Sequence, residues 1–490
     1  MTDRPDPRRT LAVISLPAMA YSLSQTMLVP AFTELQRSLH TTTVMVTWLL
    51  SSYLVSAAVC TPVFGRLGDM LGKRRMLLVS VGAFAAGNVI AAVAGEVRVV
   101  IVGRVVQGAA GGMFPLLFGI IRDEFPPEKV GGGIGLVSSM LGIGSGLGLL
   151  LGGALVDALG YTAIFWVGAI ASGVALVAIR LLVPESPTRT PGRVDLVGAV
   201  VLSLGLVLVL VGVSEGKPWG WGSARVLGLI AAGLVVLALW LPLQARTRDA
   251  LVDVSTLRSP AVLVTNVATL LIGFGMFGAY VLVPQIVEAP RSTGYGLGGS
   301  ATHAGLLILP GSLSMLAFGP LSGALGSRFG HKVSLVIGCV LSTVGLAVIA
   351  ELHGSDLEVM GYWFIVTVGI GFAFAAMPNL IVSAVPSSQT GQATGFNAVV
   401  RSVGSSVGTQ LTAVIVAASA TSAGVPTNAG FRNAYLVCAA VSAVSTVLAL
   451  AVPRSRSAHV QVGEEMGAAG LLPAPALAAD RQAPLAAERP

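Results

Sequence analysis

Between residues 11 and 452 the chain returns repeatedly to apolar stretches of about 20 residues, the length a helix needs to cross a hydrocarbon layer of about 30 Å. Strands of a membrane barrel would alternate polar and apolar residues, whereas these runs are continuously apolar, so helices are the only spans they can form. Composition agrees: 54% of residues are hydrophobic and 10% charged, and the mean hydropathy is +0.85. Soluble domains carry about 25% charged residues. The 61 glycines suit membrane helices, where small residues let backbones approach closely.

Fourteen spans are predicted, at 11–33, 44–64, 76–94, 99–121, 131–156, 161–183, 196–213, 226–243, 261–287, 303–325, 333–350, 360–385, 394–420 and 434–452. The first has Arg8 and Arg9 ahead of it and a cleavage look-alike at Ala18-Met19-Ala20. Its apolar pattern runs on to Phe32, so it reads as a helix rather than a leader.

Basic residues set the expected orientation. Of the 29 lysines and arginines, 21 fall in alternate loops and the termini, six in the other loops, and Arg104 and Arg401 within spans. This asymmetry predicts a cell-membrane protein with both termini cytoplasmic. It also accounts for the net charge of +7 without a nucleic-acid partner. Cys60, Cys339 and Cys438 sit singly in apolar runs without metal-ligand spacing, and no metal or cofactor is expected.

The chain is internally duplicated. Pro62, Gly65, Leu67, Gly68 and Gly72 recur as Pro320, Gly323, Leu325, Gly326 and Gly330, at an offset of 258. Gly135, Gly144 and Gly148 recur as Gly395, Gly404 and Gly408 at 260, and Gly108 and Pro115 as Gly371 and Pro378 at 263. The expected fold is therefore an all-α integral membrane protein of two pseudo-symmetric six-helix bundles plus an inserted two-helix hairpin. The expected divisions are a cytoplasmic N-terminus (1–10), a first bundle (11–183), linkers with the hairpin (184–258), a second bundle (259–452) and a disordered tail (453–490).

Three motifs carry a resemblance. Residues 65–75 read Gly-Arg-Leu-Gly-Asp-Met-Leu-Gly-Lys-Arg-Arg, with glycines at 65, 68 and 72 expected to form a tight turn between two helices. Residues 103–108 read Gly-Arg-Val-Val-Gln-Gly, and Gly135, Gly144, Gly148, Gly152 and Gly153 form a ladder. The first resembles the loop motif of the major facilitator superfamily, the second its fourth-helix arginine motif, and the third the fifth-helix motif of its antiporters. With the hairpin, the chain resembles the fourteen-helix drug:proton antiporter subfamily. That resemblance implies a monomeric exporter of small hydrophobic or amphipathic molecules driven by protons. It assigns Asp69 to a latch between the halves and Arg104 to proton coupling.

The residues themselves add expectations. Arg66, Lys73 and Arg74 should pair with acids such as Asp123, and Gln107, one turn from Arg104, should share its polar network. A cation inside a span costs at least about 2.5 kcal/mol and normally faces the bundle interior, which singles out Arg104 and Arg401. Gln25, Tyr53, Gln285, Asn379, Asn397, Arg401 and Gln410 are candidate cavity residues. Two departures from the family pattern stand out: Leu149 replaces the proline after the third ladder glycine, and Ser24 replaces the acid of the first helix. Glu288 and His303 are the remaining candidates for moving a proton. An uncoupled uptake carrier or facilitator of the same fold is the alternative. A membrane enzyme would need a nucleophile, metal-ligand set or carboxylate pair that the sequence does not present.

Overall fold

The computed structural model describes residues 7–28, 31–41, 43–186, 195–248, 250–421 and 425–453. The expected N-terminal segment up to residue 6, linker residues 187–194 and the tail from 454 lie outside the described residues. Fourteen long helices carry the fold. The first bundle comprises α1 (Pro7–Thr26), α2 (Thr43–Leu71), α3 (Lys73–Ala92), α4 (Val97–Glu124), α5 (Pro127–Leu159) and α6 (Thr162–Leu182). The hairpin is α7 (Leu196–Ser214) and α8 (Ala224–Arg246). The second bundle comprises α9 (Pro260–Glu288), α10 (Ala301–Phe329), α11 (His331–Glu351), α12 (Asp356–Ala384), α13 (Thr390–Ala418) and α14 (Asn428–Ala451). Among the described residues, 13 helices are long and apolar enough to cross a membrane, α1 being the one of the fourteen that falls short.

Helix starts follow side-chain chemistry. Asp195, Ser223, Ser259, Ser300, Ser355 and Thr427 each accept a hydrogen bond from an amide in the first turn they cap. The first span is shorter than expected: α1 stops at Thr26, and a separate short helix, Phe32–Ser38, follows. The sequence places Pro30 in that gap, where a missing N–H and a clash with the preceding turn oppose a continuous helix.

The expected turn at residues 65–72 is also corrected. Helix α2 runs on through Gly65 and Gly68 to Leu71, and only Gly72, at φ 109°, makes the turn into α3. A side chain there would be strained by that φ and would collide with the Glu185 carboxylate. Its counterpart Gly330 caps α11 at φ 92°, so the duplication is visible in backbone geometry.

Gly65 and Gly68 serve packing instead. A Cβ on Gly65 would lie 2.8 Å from the carbonyl carbon of Gly391 on α13, and a Cβ on Gly68 would strike Leu116. In the second copy, a Cβ on Gly323 of α10 would lie 2.7 Å from the Gly132 amide nitrogen on α5. The halves therefore meet along two symmetry-related crossings, α2 on α13 and α5 on α10. Ladder glycines of α5 divide between two neighbours. Gly144, Gly148 and Gly152, four residues apart and so on one face, lie against Ser22 and Thr26 of α1 and Met27 just past its end, whereas Gly135 lies against Gly319 of α10. Gly153 is half-buried. With Leu149 in the proline position, α5 is one continuous helix of 33 residues.

The copies differ at α4, where a 3-10 stretch, Gly108–Gly112, interrupts the α-helix, while α12 is α-helical throughout. The hairpin is inserted at the seam: α7 packs against both α2 and α13. Trp240 on α8 donates from Nε1 to the Gly198 carbonyl of α7 at 2.9 Å and stacks on Phe396 of α13.

Adding side chains at the crossings should separate the halves. Gly65→Leu and Gly323→Leu are each expected to cost about 2 kcal/mol, as overpacked contacts do. Thermal unfolding of purified variants in detergent checks this, and unchanged melting would mean the helices do not approach as closely as described.

Candidate functional site

Two groups of polar side chains stand out, one at the end of the bundles where α2 meets α13 and one within the spans. The first end carries Arg66, Lys73, Arg122, Arg248 and Arg258 and is called the basic end below.

At the basic end, the buried Asp69 carboxylate accepts hydrogen bonds across the seam from the amides of Gly391 (3.3 Å) and Gln392 (3.1 Å), at the start of α13. A helix N-terminus favours a carboxylate, so charge and dipole agree. Lys73, fully buried, lies 2.7 Å from Asp123 and 3.7 Å from Asp69. Asp123 also accepts from the Ser186 hydroxyl.

The other expected pairings differ. Arg74 donates through its guanidinium to the Arg180 carbonyl and through its amide to Glu185 at 3.2 Å, because the turn at Gly72 directs it toward the end of α6. Arg66 makes no ion pair among the described residues, although it is only 7% exposed. It lines a cavity beside the α8–α9 linker and acts on Asp69 through charge, without an ion-pair contact.

A second cross-seam contact comes from Arg122, which reads in the sequence only as a topology charge. It donates to the carbonyls of Val385 (2.8 Å) and Pro386 (3.2 Å), just past the end of α12, and to the Thr390 hydroxyl (2.6 Å) at the start of α13. The pseudo-equivalent of Asp69 is Ser327, which bonds the Gly323 carbonyl of its own helix. The charged clasp therefore exists on one side of the seam. On the other, Asn379 donates to the Gly131 carbonyl at 3.2 Å.

Within the spans, Arg104 is 1% exposed. It donates to the Leu49 carbonyl at 2.9 Å and to Gln107 Oε1 at 2.6 Å, and stands over the Tyr53 ring at 4.2 Å. Sequence spacing had brought Arg104 and Gln107 together; Tyr53 joins them. Arg104 Nη2, Gln107 Nε2 and Tyr53 Oη remain without hydrogen-bond partners. Tyr53, Tyr21, Phe114 and Phe118 form a chain of ring contacts at 5.5–6.0 Å. From the second bundle, Arg401 stands over Phe374 at 5.1 Å and interacts electrostatically with Tyr21, so cations and rings of both halves approach one another.

The remaining candidates scatter. Asn397 donates to Asn266 Oδ1 (2.8 Å) and Thr269 (2.9 Å), binding α13 to α9. Gln285 is exposed and donates to Val281 of its own helix, apart from the others. Gln25 and Gln410 are half-buried. Ser24 faces α3 and donates to Asn88 Oδ1 at 3.5 Å. His303 lies 3.1 Å from Asp356 and is exposed in part. No described acid lies deep within a span: Asp69, Asp123, Asp157 and Glu288 all stand near helix ends. No cluster that could hold a metal is found among the described residues.

Two related helical halves, clasped at one end and holding buried cations and rings within the spans, have the architecture of a membrane carrier. The sequence model of the Major Facilitator Superfamily matches residues 14–409, and the chain belongs to that family. It is 30% identical over 416 residues to the tetracenomycin C resistance and export protein of Streptomyces glaucescens, covering 84% of this chain and 76% of that one. It is 28% identical over 379 residues to the probable actinorhodin transporter of Streptomyces coelicolor, covering 74% and 64%. It is also 28% identical over 421 residues to a multidrug resistance protein B homolog of Mycobacterium tuberculosis, covering 83% and 76%. Among solved structures, the fold resembles the human organic anion transporter MFSD10 (TM-score 0.66, 16% identity, 91% of this chain and all of that one). It equally resembles the proton:xylose symporter XylE (TM-score 0.66, 12% identity, 92% and 96%).

The buried Lys73 centre should dominate stability at the basic end. Lys73→Met leaves Asp69 and Asp123 facing one another without their cation, and a loss of about 3–5 kcal/mol is expected. Adding Asp123→Asn should recover part of it. A double-mutant cycle by detergent unfolding measures both steps, and additive effects would remove the proposed pairing.

Proposed function

We propose that the chain exports small hydrophobic or amphipathic molecules, in the manner of the antibiotic and multidrug exporters it resembles, as a monomer of the fourteen-helix drug:proton antiporter type. The observation that carries this is the approach of Arg104–Tyr53–Tyr21 on one half to Arg401–Phe374 on the other. Two guanidinium groups lie among aromatic faces and no carboxylate accompanies them, which suits an aromatic substrate bearing an acidic or hydrogen-bond-accepting group.

On this reading the basic end faces the cytoplasm, as the distribution of lysines and arginines supports, and both termini lie there. The described arrangement is then closed to the cytoplasm. Asp69, Lys73, Asp123 and Arg122 hold that closure, and transport requires their cross-seam bonds to break and re-form. Arg104 and Gln107, with one unpaired donor each, take up substrate or couple its release to a proton. The second reading, an uncoupled facilitator, is favoured by one observation: Ser24 stands where relatives of this type carry an acid, and it is engaged with Asn88.

Inverted vesicles with an imposed pH gradient distinguish the two. Accumulation of anilinonaphthalene sulfonate, an aromatic anion, that collapses with a protonophore is the expected result, with weaker accumulation of ethidium, an aromatic cation. Uptake indifferent to the gradient would sink proton exchange in favour of the facilitator. Arg104→Ala and Asp69→Asn should each lower transport at least about 100-fold, the loss of roughly 2.7 kcal/mol, with membrane insertion unchanged. Full transport by either variant would remove that residue from the mechanism.

A further inference from the structure

A cavity of about 700 Å³ opens at the basic end, between the base of α8, the α8–α9 linker and the turn into α13. Its walls are separate from the ring cluster and share with the clasp Gln392, whose backbone amide bonds Asp69. Arg66 enters from α2, Arg248 and Arg258 from the linker, and Gln244, Gln389 and Gln392 add amide groups. Asp253 is the one carboxylate among the described lining residues. Burial acts to raise its carboxyl, but hydrogen bonds from the Ser255 hydroxyl and amide and from Gln389 outweigh that and hold it below the usual range. Those bonds measure 2.7, 2.8 and 3.2 Å, so Asp253 is committed to the linker and the α12–α13 turn.

The three guanidinium groups make no ion pair among the described residues. Arg66 is the sharpest case: 7% exposed, lining the cavity, with Nε lacking any hydrogen-bond partner. Gathering three cations, one from α2 and two from the linker, around one committed acid is unfavourable unless an anion joins them, and a forked guanidinium matches phosphate oxygens two at a time. Membrane position fits as well. Only 17% of the most apolar stretch of α8 is buried, so that helix presents itself to lipid and its basic end lies at the bilayer surface.

We infer that this cavity binds a phosphate group, held by Arg66, Arg248 and Arg258, either as the head group of an anionic phospholipid or as a free phosphate. The occupant bridges the hairpin to the α2–α13 crossing, because Arg66 follows Gly65 and the Gln392 amide bonds Asp69. The hairpin is thereby more than an insertion: through the ligand it is tied to the closure of the basic end.

The test uses the full chain in nanodiscs of phosphatidylcholine, then with phosphatidylglycerol included, then with inorganic phosphate added at constant ionic strength. Melting temperature and, for the lipid, retention of phosphatidylglycerol in native mass spectrometry are measured. A higher melting temperature with phosphatidylglycerol alone identifies the head group, and one with phosphate alone identifies the free anion. Arg248→Ala and Arg258→Ala, at exposed positions that leave folding intact, should each weaken the response about tenfold, as loss of a charged hydrogen bond does. Arg258→Lys should retain part of it. Absence of stabilisation by both additives, or a response in both alanine variants as strong as that of the unsubstituted chain, overturns the proposal. Neither readout involves transport, so its failure is distinct from failure of the exporter reading.

Discussion

Everything at the basic end depends on backbone meeting backbone where α2 crosses α13 and α5 crosses α10. Gly65 against Gly391 and Gly323 against Gly131 leave no room for a side chain, so the polar groups that follow each glycine come within reach of the opposite half. That is why Asp69, one helical turn beyond Gly65, can reach the first free amides of α13. In lipid, apolar burial does not drive helices together, so close packing and polar bonds must hold the halves. The clasp supplies both, and being made of a few bonds around buried charge, it has two distinct conditions, formed or broken.

The duplication makes the seam symmetric in backbone and asymmetric in charge. Gly72 and Gly330 turn alike, yet Lys73 has two carboxylates beside it, while the second copy offers Ser327 and His331. Charge on both sides would double the desolvation cost of closing. On the exporter reading, keeping it on one side leaves the α5–α10 crossing as a neutral contact along which the halves roll, while the α2–α13 side locks. The hairpin lies on the locking side, with α7 against both helices of that crossing.

Much of this was legible in residues, and the failures have physical causes. Hydropathy located the fourteen helices because lipid enforces long apolar runs, and it failed at the end of the first, which stops at Thr26 although the apolar run continues. The loop motif was read as a turn because three glycines suggest flexibility. Two of them are spaced for close approach instead, and only Gly72 adopts a positive φ. Arg104 and Gln107 could be paired because helical spacing fixes neighbours on one helix. Arg122 could not, since its partners in the α12–α13 turn and at the start of α13 are more than 260 residues away in the chain. The same limit hid Arg66, whose lack of a carboxylate partner is visible only once the linker is in place.

The missing acid of α1 acquires a physical reading from its surroundings. Position 24 faces Asn88 and Gly168, inside the first bundle, and a Cβ on Gly168 would lie 2.8 Å from the Ser24 hydroxyl. A carboxylate there would be enclosed by the first bundle's own helices and would need a partner that Asn88 supplies only weakly. A serine avoids that buried charge and leaves Arg104 and Arg401 as the cations deep in the spans among the described residues. Aromatic faces and a backbone carbonyl support those cations without neutralising them. On the exporter reading, the neutralising charge therefore comes from the occupant. Substrate choice and the electrostatic state of the empty carrier become the same problem: a carrier without an internal acid returns most readily when its cations have been screened, by substrate or by water entering the open side.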